Sequence, residues 1–249
     1  MVNNMADKPL ITVSAMIYNN IEGLEQTVNS FMEQDYENAE IILSDDGSTK
    51  YDTSVLNDYA DRLRQKYKKV LVNVNEQNMG TVKHINKVIK LSSGKYYMDC
   101  SSGDVFYKKD TVSKIVEFFE THDELVLTTK RVDRYEDGTD KIRPTSFVGF
   151  ALKYQPKRLL DYILHKKNVI SGSCTFYKKE IFEKYGYYDE QYFLVEDYPY
   201  FVHLLENNVK FGWMSEPTVI HEMGGVSTGD VHPGVYKDIE LLRKNYGIE

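Results

Sequence analysis

Two hydrophobic periodicities alternate along the first hundred residues, and this alternation constrains the fold more than any other feature. Short apolar runs typical of buried strands occur at 10–17, 39–43, 70–74 and from 96 onward. Between them, apolar residues recur every three or four positions, as on one face of a helix. Strands that alternate with helices predict βαβ units around a parallel sheet, and near-continuous apolar strands predict a sheet covered on both faces.

The pattern becomes irregular after about residue 105. Further elements are predicted as a helix at 112–119, strands at 125–129 and 169–177, and helices near 180–184 and 197–206. Asp137-Gly138 predicts a hairpin turn, whereas 147–167 has no clear assignment. There is no repeat and no linker. We therefore predict one α/β domain over residues 1–249, with a regular half at about 8–105 and an irregular half at about 106–249.

Charge and cysteine content exclude some classes of protein. The chain has 38 acidic residues against 31 Lys plus Arg, a net charge of −7, which argues against a nucleic-acid partner bound through a broad basic face. Two cysteines, Cys100 and Cys174, make no disulfide framework and favour a reducing compartment. Neither a signal peptide nor an apolar run of about 18 residues is visible. A cytoplasmic protein is the resulting expectation.

Polar residues follow each predicted strand of the regular half. They are Tyr18-Asn19, Asp45-Asp46-Gly47-Ser48, residues 75–80 and Ser101 to Asp104. The carboxyl ends of parallel strands meet at one edge, where ligands bind in open sheets of this kind. Neither G-x-G-x-x-G nor a P-loop is present. A carboxylate-rich edge suits a divalent cation that neutralises phosphate, or hydrogen bonds to a base and ribose.

Seven segments succeed one another in this order: ITVSAMIYNN, AEIILSDDGSTK, NMGTVKHINKVIKLSSGKYYM, SSGDVFY, ISGSCTFYKKEIFEKYGYYDE, FLVEDYPYFVHLL and VIHEMGGVS. From about residue 10 to about residue 228, they resemble the family 2 glycosyltransferases of the GT-A fold, of the bacterial type that builds surface polysaccharides. The resemblance implies a Rossmann-like, mostly parallel sheet flanked by helices, with a smaller, irregular acceptor-side half. It also implies a hexosyltransferase-type enzyme. Such an enzyme moves a sugar, with inversion, from a nucleotide-diphosphate donor (UDP favoured) to a hydroxyl of a glycan or lipid-linked saccharide, using Mg²⁺ or Mn²⁺.

The resemblance assigns residues to the parts of this reaction. Nucleotide-sugar binding is assigned to Tyr18, Asn19, Asp45, Asp46, Lys83, Gly103, Asp104, Gly172 and Ser173. Asp104 is also the metal ligand, with His221 as a further candidate. Catalysis is assigned to Asp197, which matches the general base, and to Glu196 immediately before it. A base at the start of a predicted helix fits this role, because the helix dipole favours the ionised carboxylate there.

One departure from the family pattern concerns the metal turn. It reads Ser101-Ser102-Gly103-Asp104-Val105, with a single Asp where the family has D-x-D or D-D. The metal would then be held by Asp104, diphosphate, water and His221; weak metal binding, or partial replacement by Lys83, is left open. The same departure motivates an alternative function, a weak or inactive domain that binds nucleotide sugar or a partner. A sugar nucleotidyltransferase fits less well, because residues 17–20 lack the Gly- and Lys/Arg-rich loop that holds a triphosphate.

The segment Lys153 to Lys167 mixes aromatic and aliphatic residues with basic ones. This composition is compatible with a solvated helix. It is also compatible with a peripheral contact at the inner face of the membrane, where a lipid-linked acceptor would lie.

Overall fold

The structure is a computed structural model that describes residues 8–223 and 231–248. Within these residues, nine strands form one sheet: β1 (Ile11–Ile17), β2 (Ala39–Asp45), β3 (Lys69–Val74), β4 (Tyr96–Ser101), β5 (Val105–Phe106), β6 (Val126–Arg134), β7 (Asp140–Arg143), β8 (Thr175–Lys178) and β9 (Phe211–Glu222). The strand order is β3-β2-β1-β4-β8-β6-β9-β5, and β7 pairs with β6. β1 runs parallel to β2 and β4, and β2 runs parallel to β3. The predicted α/β class, with a Rossmann-like first half, is confirmed.

Helices cover both faces of this sheet. They are α1 (Ile21–Glu33), α2 (Leu56–Arg64), α3 (Thr81–Leu91), α4 (Thr111–Thr121), α5 (Ser146–Tyr154), α6 (Pro156–His165), α7 (Glu180–Tyr185), α8 (Asp197–Glu206) and α9 (Pro233–Asn245). Apolar residues of α1, α2 and α4 form one core, and those of α3 and α5 to α9 belong mainly to the other. Burial on both sides explains why the first strands read as continuous apolar runs. None of the described helices has the length and hydropathy needed to cross a membrane.

The second half of the sheet is built by non-local pairing. β8 runs antiparallel to both β4 and β6, whereas β9 pairs parallel to β6 and antiparallel to β5. The hairpin between β6 and β7 turns at Asp137-Gly138, as predicted, with Gly138 at a φ of +81°. β5, β9 and α9 were not predicted from the sequence.

One prediction for this half needs correction, and one segment without an assignment is now defined. The strand expected at 169–177 is wrong before residue 175, because Gly172–Cys174 form a 3₁₀ turn. In this turn the amide of Gly172 donates to the carboxylate of Asp197 instead of to a neighbouring strand. The segment 147–167, which had no assignment, forms α5 and α6. These helices are separate because Pro156 begins α6 and its ring favours the first helical turn.

Candidate active site

The ends of three neighbouring parallel strands form one edge of the sheet. The amide of Asp46, just after β2, donates to the carbonyl of Ile17 at the end of β1 over 2.9 Å. The amide of Ser102, just after β4, donates to the carbonyl of Met16, also over 2.9 Å. Tyr18, the residue after β1, is 47% exposed beside this edge. The structure therefore brings together the polar strand ends, as the parallel pairing requires.

Asn19 organises the loop that follows β2. Its φ is +54°, in the left-handed region that Asn tolerates better than most residues. Its amide donates to Ser48 Oγ over 2.7 Å, and its Oδ1 accepts from the amides of Thr49 and Lys50 at 2.9 and 3.1 Å. Its predicted contact with the donor stays a prediction; the structure shows that it joins the loops after β1 and β2.

The two aspartates after β2 are buried and hydrogen-bonded differently. Asp45 accepts from the amide of Ser48 at 2.7 Å and from the hydroxyl of Tyr51, so it closes its own turn. Asp46 uses Oδ1 to accept from Asn75 Nδ2 at 2.8 Å and from the amide of Met79 at 3.1 Å. Asp46 is thereby held between the ends of β2 and β3. The roles predicted for Asp45 and Asp46 in nucleotide binding are compatible with this geometry and stay predictions.

The lysine that joins the Asp46 network is Lys87, and the donor contact predicted for Lys83 stays a prediction. Lys83 is an exposed residue of α3, whereas Lys87, one turn later, donates to Asn75 Oδ1 over 2.5 Å. Buried His84 lies beside this network, with Nε2 2.6 Å from Ser44 Oγ, and burial lowers its pKa. Residues four apart share a helix face, so the sequence alone does not distinguish the two lysines.

The turn that contains Asp104 is held by α1. The amide of Gly103 donates to Thr27 Oγ1 over 3.0 Å, and this hydroxyl donates to the carbonyl of Asp104 over 2.8 Å. Gly103 has a φ of +109°, which a residue with a side chain rarely adopts. A Cβ on Gly23 of α1 would lie 2.8 Å from the amide of Gly103. Gly23 therefore permits the close approach of α1 to this turn, and Gly103 has a conformational role through its positive φ.

Asp104 and His221 are in direct contact although 117 positions separate them. The pairing of β5 with β9 places them together, because Val105 lies opposite Ile220. His221 Nδ1 lies 2.6 Å from Asp104 Oδ1, and because an ionised carboxylate only accepts, Nδ1 is the donor in this contact. Asp104 Oδ2 and His221 Nε2 are buried without a hydrogen-bond partner in the described part of the chain.

This pair fits a divalent cation through Asp104 Oδ1 and His221 Nδ1, which lie 2.6 Å apart, since Nε2 is on the opposite side of the ring and faces away from Asp104. A carboxylate oxygen and an imidazole nitrogen are both ligands that Mn²⁺ and related ions accept, and a buried carboxylate oxygen without a partner, such as Oδ2 of Asp104, is rare in proteins. Residues 8–223 and 231–248 contain no group of three His, Cys, Asp or Glu side chains able to hold a metal. The chain would thus supply two ligands, and substrate and water the others. The last segment quoted for the resemblance covers residues 219–227, and its residues 224–227 lie outside the described part of the chain.

Asp197 begins α8 and is half-buried. Oδ1 accepts from the amide of Tyr198 at 2.6 Å, and Oδ2 accepts from the amide of Gly172 at 3.1 Å. A Cβ on Gly172 would lie 2.9 Å from Asp197 Cβ, so glycine permits this contact. Burial raises the pKa of Asp197, while the two amides and the guanidinium of Arg131 act against the rise.

Two more carboxyl groups accompany Asp197. Burial and the charge of Asp197 raise the pKa of Glu196 well above its usual range. Because Asp197 has the amide donors, we assign the retained proton of this pair to Glu196 and the ionised state to Asp197. On β4, burial and the charges of Asp104 and Asp197 raise the pKa of Asp99 to about 7. Asp99 therefore lies within electrostatic reach of both predicted functional aspartates.

Arg131 of β6 belongs to the site and was missed in the sequence. Its Nη1 donates to Ser173 Oγ over 2.7 Å, and its Nε donates to the buried Asp133 Oδ1 over 2.6 Å. Ser173, a predicted donor-binding residue, thus lies beside a cation. The polar sequence around 131–143 has no motif that distinguishes Arg131 from the exposed arginines near it.

Asp238 of α9 holds the loop that leads to Asp197. Its Oδ2 accepts from the amides of Phe193, Leu194 and Val195 at 3.0, 2.6 and 2.9 Å. The ring of Phe193 lies against Gly80, where a Cβ would be 2.4 Å from it. The loop is therefore fixed between α3 and α9. Asp238 was not predicted, because only the fold brings it to this loop.

Comparison with known proteins identifies the family. The model of "Glycosyl transferase family 2" matches residues 12–186. An uncharacterized glycosyltransferase of Haemophilus influenzae is 30% identical over 121 residues, covering 49% of this chain and 36% of that protein. A poly-beta-1,6-N-acetyl-D-glucosamine synthase of Staphylococcus epidermidis is 26% identical over 217 residues, covering 82% and 49%. The chain spans about half the length, or less, of these relatives.

Solved structures share the fold. TarS 1–349 of S. aureus in complex with UDP-GlcNAc superposes with a TM-score of 0.70 at 20% identity, covering 93% of this chain and 65% of that one. The mannosyltransferase PcManGT of Pyrobaculum calidifontis, in complex with GDP-Man and Mn²⁺, has a TM-score of 0.63 at 15% identity, covering 88% and 57%. With the family model spanning more than half of its residues, the chain belongs to glycosyl transferase family 2.

Proposed function

We propose that this chain is an inverting glycosyltransferase that moves a sugar from a UDP-sugar to a hydroxyl group of a glycan or lipid-linked saccharide. One observation carries the proposal. The Asp104–His221 pair, whose Oδ1 and Nδ1 lie 2.6 Å apart, and the helix-start carboxylate of Asp197 both lie within electrostatic reach of Asp99. A cation ligand pair and a base are what a donor diphosphate and an acceptor hydroxyl require.

Asp197 is the general base in this proposal. Its ionised carboxylate accepts the proton of the acceptor hydroxyl as that oxygen attacks the anomeric carbon of the donor sugar. The bond between that carbon and the diphosphate breaks, and its electron pair leaves with the diphosphate. Attack from the face opposite the leaving group inverts the anomeric configuration. The amides of Tyr198 and Gly172 orient the carboxylate for this transfer.

Asp104 and His221 would hold the divalent cation, Mg²⁺ or Mn²⁺, that the family resemblance implies. When bound, the ion neutralises negative charge on the leaving diphosphate. The Mn²⁺ in the complex of the fold neighbour PcManGT supports this assignment. Nearby, Arg131 contributes a fixed positive charge at Ser173, which a chain of net charge −7 needs when it binds an anion.

In this proposal the nucleotide binds at the ends of strands β1 and β2 in the first half. Exposed Tyr18 offers a surface for the base, and Asp46 offers a carboxylate held at a fixed position by Asn75. The UDP and UDP-GlcNAc complexes of TarS support a uridine nucleotide. A polysaccharide synthase among the relatives supports a glycan acceptor. The other donor-binding assignments, including Lys83, are kept as part of this proposal.

The single carboxylate of the metal turn favours the second candidate, a domain that binds nucleotide sugar without turnover. An assay of nucleotide release tests both. Purified protein is incubated with a panel of UDP-, GDP- and dTDP-sugars, with and without Mn²⁺, and with saccharide acceptors. We expect UDP release that depends on the acceptor and on Mn²⁺. Binding of UDP-sugar without release from any donor would support the second candidate and contradict the first.

A further inference from the structure

Helix α5 exposes a row of aromatic side chains. Phe147, Phe150 and Tyr154 are 70%, 48% and 62% exposed. Their spacing places them on one side of the helix, and consecutive ring centroids are 6.5 and 5.1 Å apart. The opposite side of α5 already packs into the core through Val148 and Leu152. The exposed row is therefore additional apolar surface that the fold itself does not use.

The same region concentrates positive charge. Residues 141–167 contain seven Lys or Arg residues and one acidic residue, Asp161, in a chain whose net charge is −7. All seven are exposed: Lys141, Arg143, Lys153, Lys157, Arg158, Lys166 and Lys167. We call the aromatic row and these basic residues the α5–α6 face.

This face adjoins the acceptor half of the site. Arg143 Nε lies 3.6 Å from Asp133 Oδ2, and Asp133 binds Arg131, which in turn contacts Ser173. Lys130 Nζ donates to Ser146 Oγ, at the start of α5, over 3.0 Å. A surface that contacts the α5–α6 face would therefore lie near Ser173 and the neighbouring Gly172, whose amide contacts Asp197, the proposed general base.

We propose that the α5–α6 face docks on an anionic lipid bilayer. Aromatic side chains insert favourably at the boundary of headgroups and acyl chains, and Lys and Arg are attracted electrostatically to an anionic leaflet. The combination of protruding rings and basic residues complements that surface. A second copy of the chain is disfavoured as the occupant, because two strongly positive faces repel each other. Docking would also bring the site close to a lipid-linked acceptor in the bilayer. That consequence rests on the proposed function, whereas the docking itself does not.

Flotation with lipid vesicles tests the docking without any donor or acceptor. We expect the protein to float with vesicles of phosphatidylcholine and phosphatidylglycerol, to remain unbound with phosphatidylcholine alone, and to dissociate as salt is raised. The variant Phe147→Ser/Phe150→Ser/Tyr154→Ser and the variant Lys153→Glu/Lys157→Glu/Arg158→Glu should each weaken binding about tenfold or more. Tyr236→Ser, which removes a 57% exposed aromatic residue on α9, is the matched control and should bind as the native chain does.

Folding and function are measured separately. Circular dichroism and thermal unfolding verify that each variant is folded, and transfer to a soluble acceptor should equal that of the native chain. Absence of transfer in every sample would contradict the proposed function and leave the vesicle result valid. The docking proposal is overturned if the native chain does not bind anionic vesicles or if both surface variants bind as tightly as it does. It is also overturned if sedimentation velocity shows a dimer that only these variants abolish, since the face would then serve a second copy.

Discussion

The two halves of the site are held together over very different distances in sequence. In the first half, Asp45 is fixed by Ser48 and Tyr51, three and six residues away, and the parallel strands align the other loops. In the second half, Asp238 is 43 to 45 positions from the amides that it holds, and the Asp104–His221 pair, which joins the two halves, spans 117 positions. The first half, which is proposed to bind the nucleotide, is thus held by the parallel strands and by contacts between neighbouring loops, such as that of Asp46 with Met79, 33 positions away. The groups assigned to chemistry depend on long-range packing.

The largest effect is expected for Asp197→Asn, in the half held by long-range contacts. An amide cannot take the acceptor proton, so transfer should fall about 10²- to 10⁴-fold, while binding of UDP is retained. Initial rates with soluble donor and acceptor provide the measurement. Asp189→Asn, an exposed change eight positions earlier, is the control and should be neutral. Undiminished transfer by Asp197→Asn would remove the base assignment.

A smaller effect is expected for His221→Ala. Losing one of two protein ligands should weaken Mn²⁺-dependent UDP binding about tenfold or more, with little change in UDP binding measured without metal. Titration calorimetry in both conditions separates the two contributions. Equal losses with and without Mn²⁺ would indicate that His221 only supports the local fold.

Asp238→Asn tests whether the distant helix α9 controls the position of the base. Hydrogen bonds to charged groups contribute about 1.5–3 kcal/mol to stability. Weakening the bonds from the amides of 193–195 to residue 238 should therefore lower kcat about tenfold and leave KM for the donor nearly unchanged. Amide hydrogen exchange at 193–195 should become faster. Glu240→Gln, an exposed change on α9, is the control. Faster exchange with an unchanged kcat would show that these bonds have no role in transfer.

The smallest effect is a shift of the pH profile. Because burial raises the pKa of Asp197, its base form is lost as pH falls through a value above that of an ordinary carboxyl group. With Glu196 protonated, the charge of Asp99 opposes ionisation of Asp197, and Arg131 favours it. Arg131→Gln should therefore move the acid limb of kcat to higher pH. An acid limb that stays in place or moves down would contradict this arrangement.

The same division explains what the sequence could predict. Local periodicity determines β1 to β4 and α1 to α3, so the regular half and its polar edge were predicted correctly. Gly172 lies in a turn because its amide binds Asp197, and no local pattern reports that contact. Nothing in the sequence distinguishes Asp238 from the other 37 acidic residues, because only the packing of α9 brings it to the loop before Asp197. Lys87 and Lys83 share a helix face, and only the position of Asn75 distinguishes them.

We propose above all that the edge formed by the ends of β1, β2 and β4 binds a nucleotide together with a divalent cation held by Asp104 and His221. The most direct test of this proposal is calorimetric titration of UDP into the native chain and into Asp104→Ala, each with and without Mn²⁺. We predict that Mn²⁺ strengthens UDP binding to the native chain and has no effect on the variant. UDP affinity that is the same in all four titrations would contradict the claim.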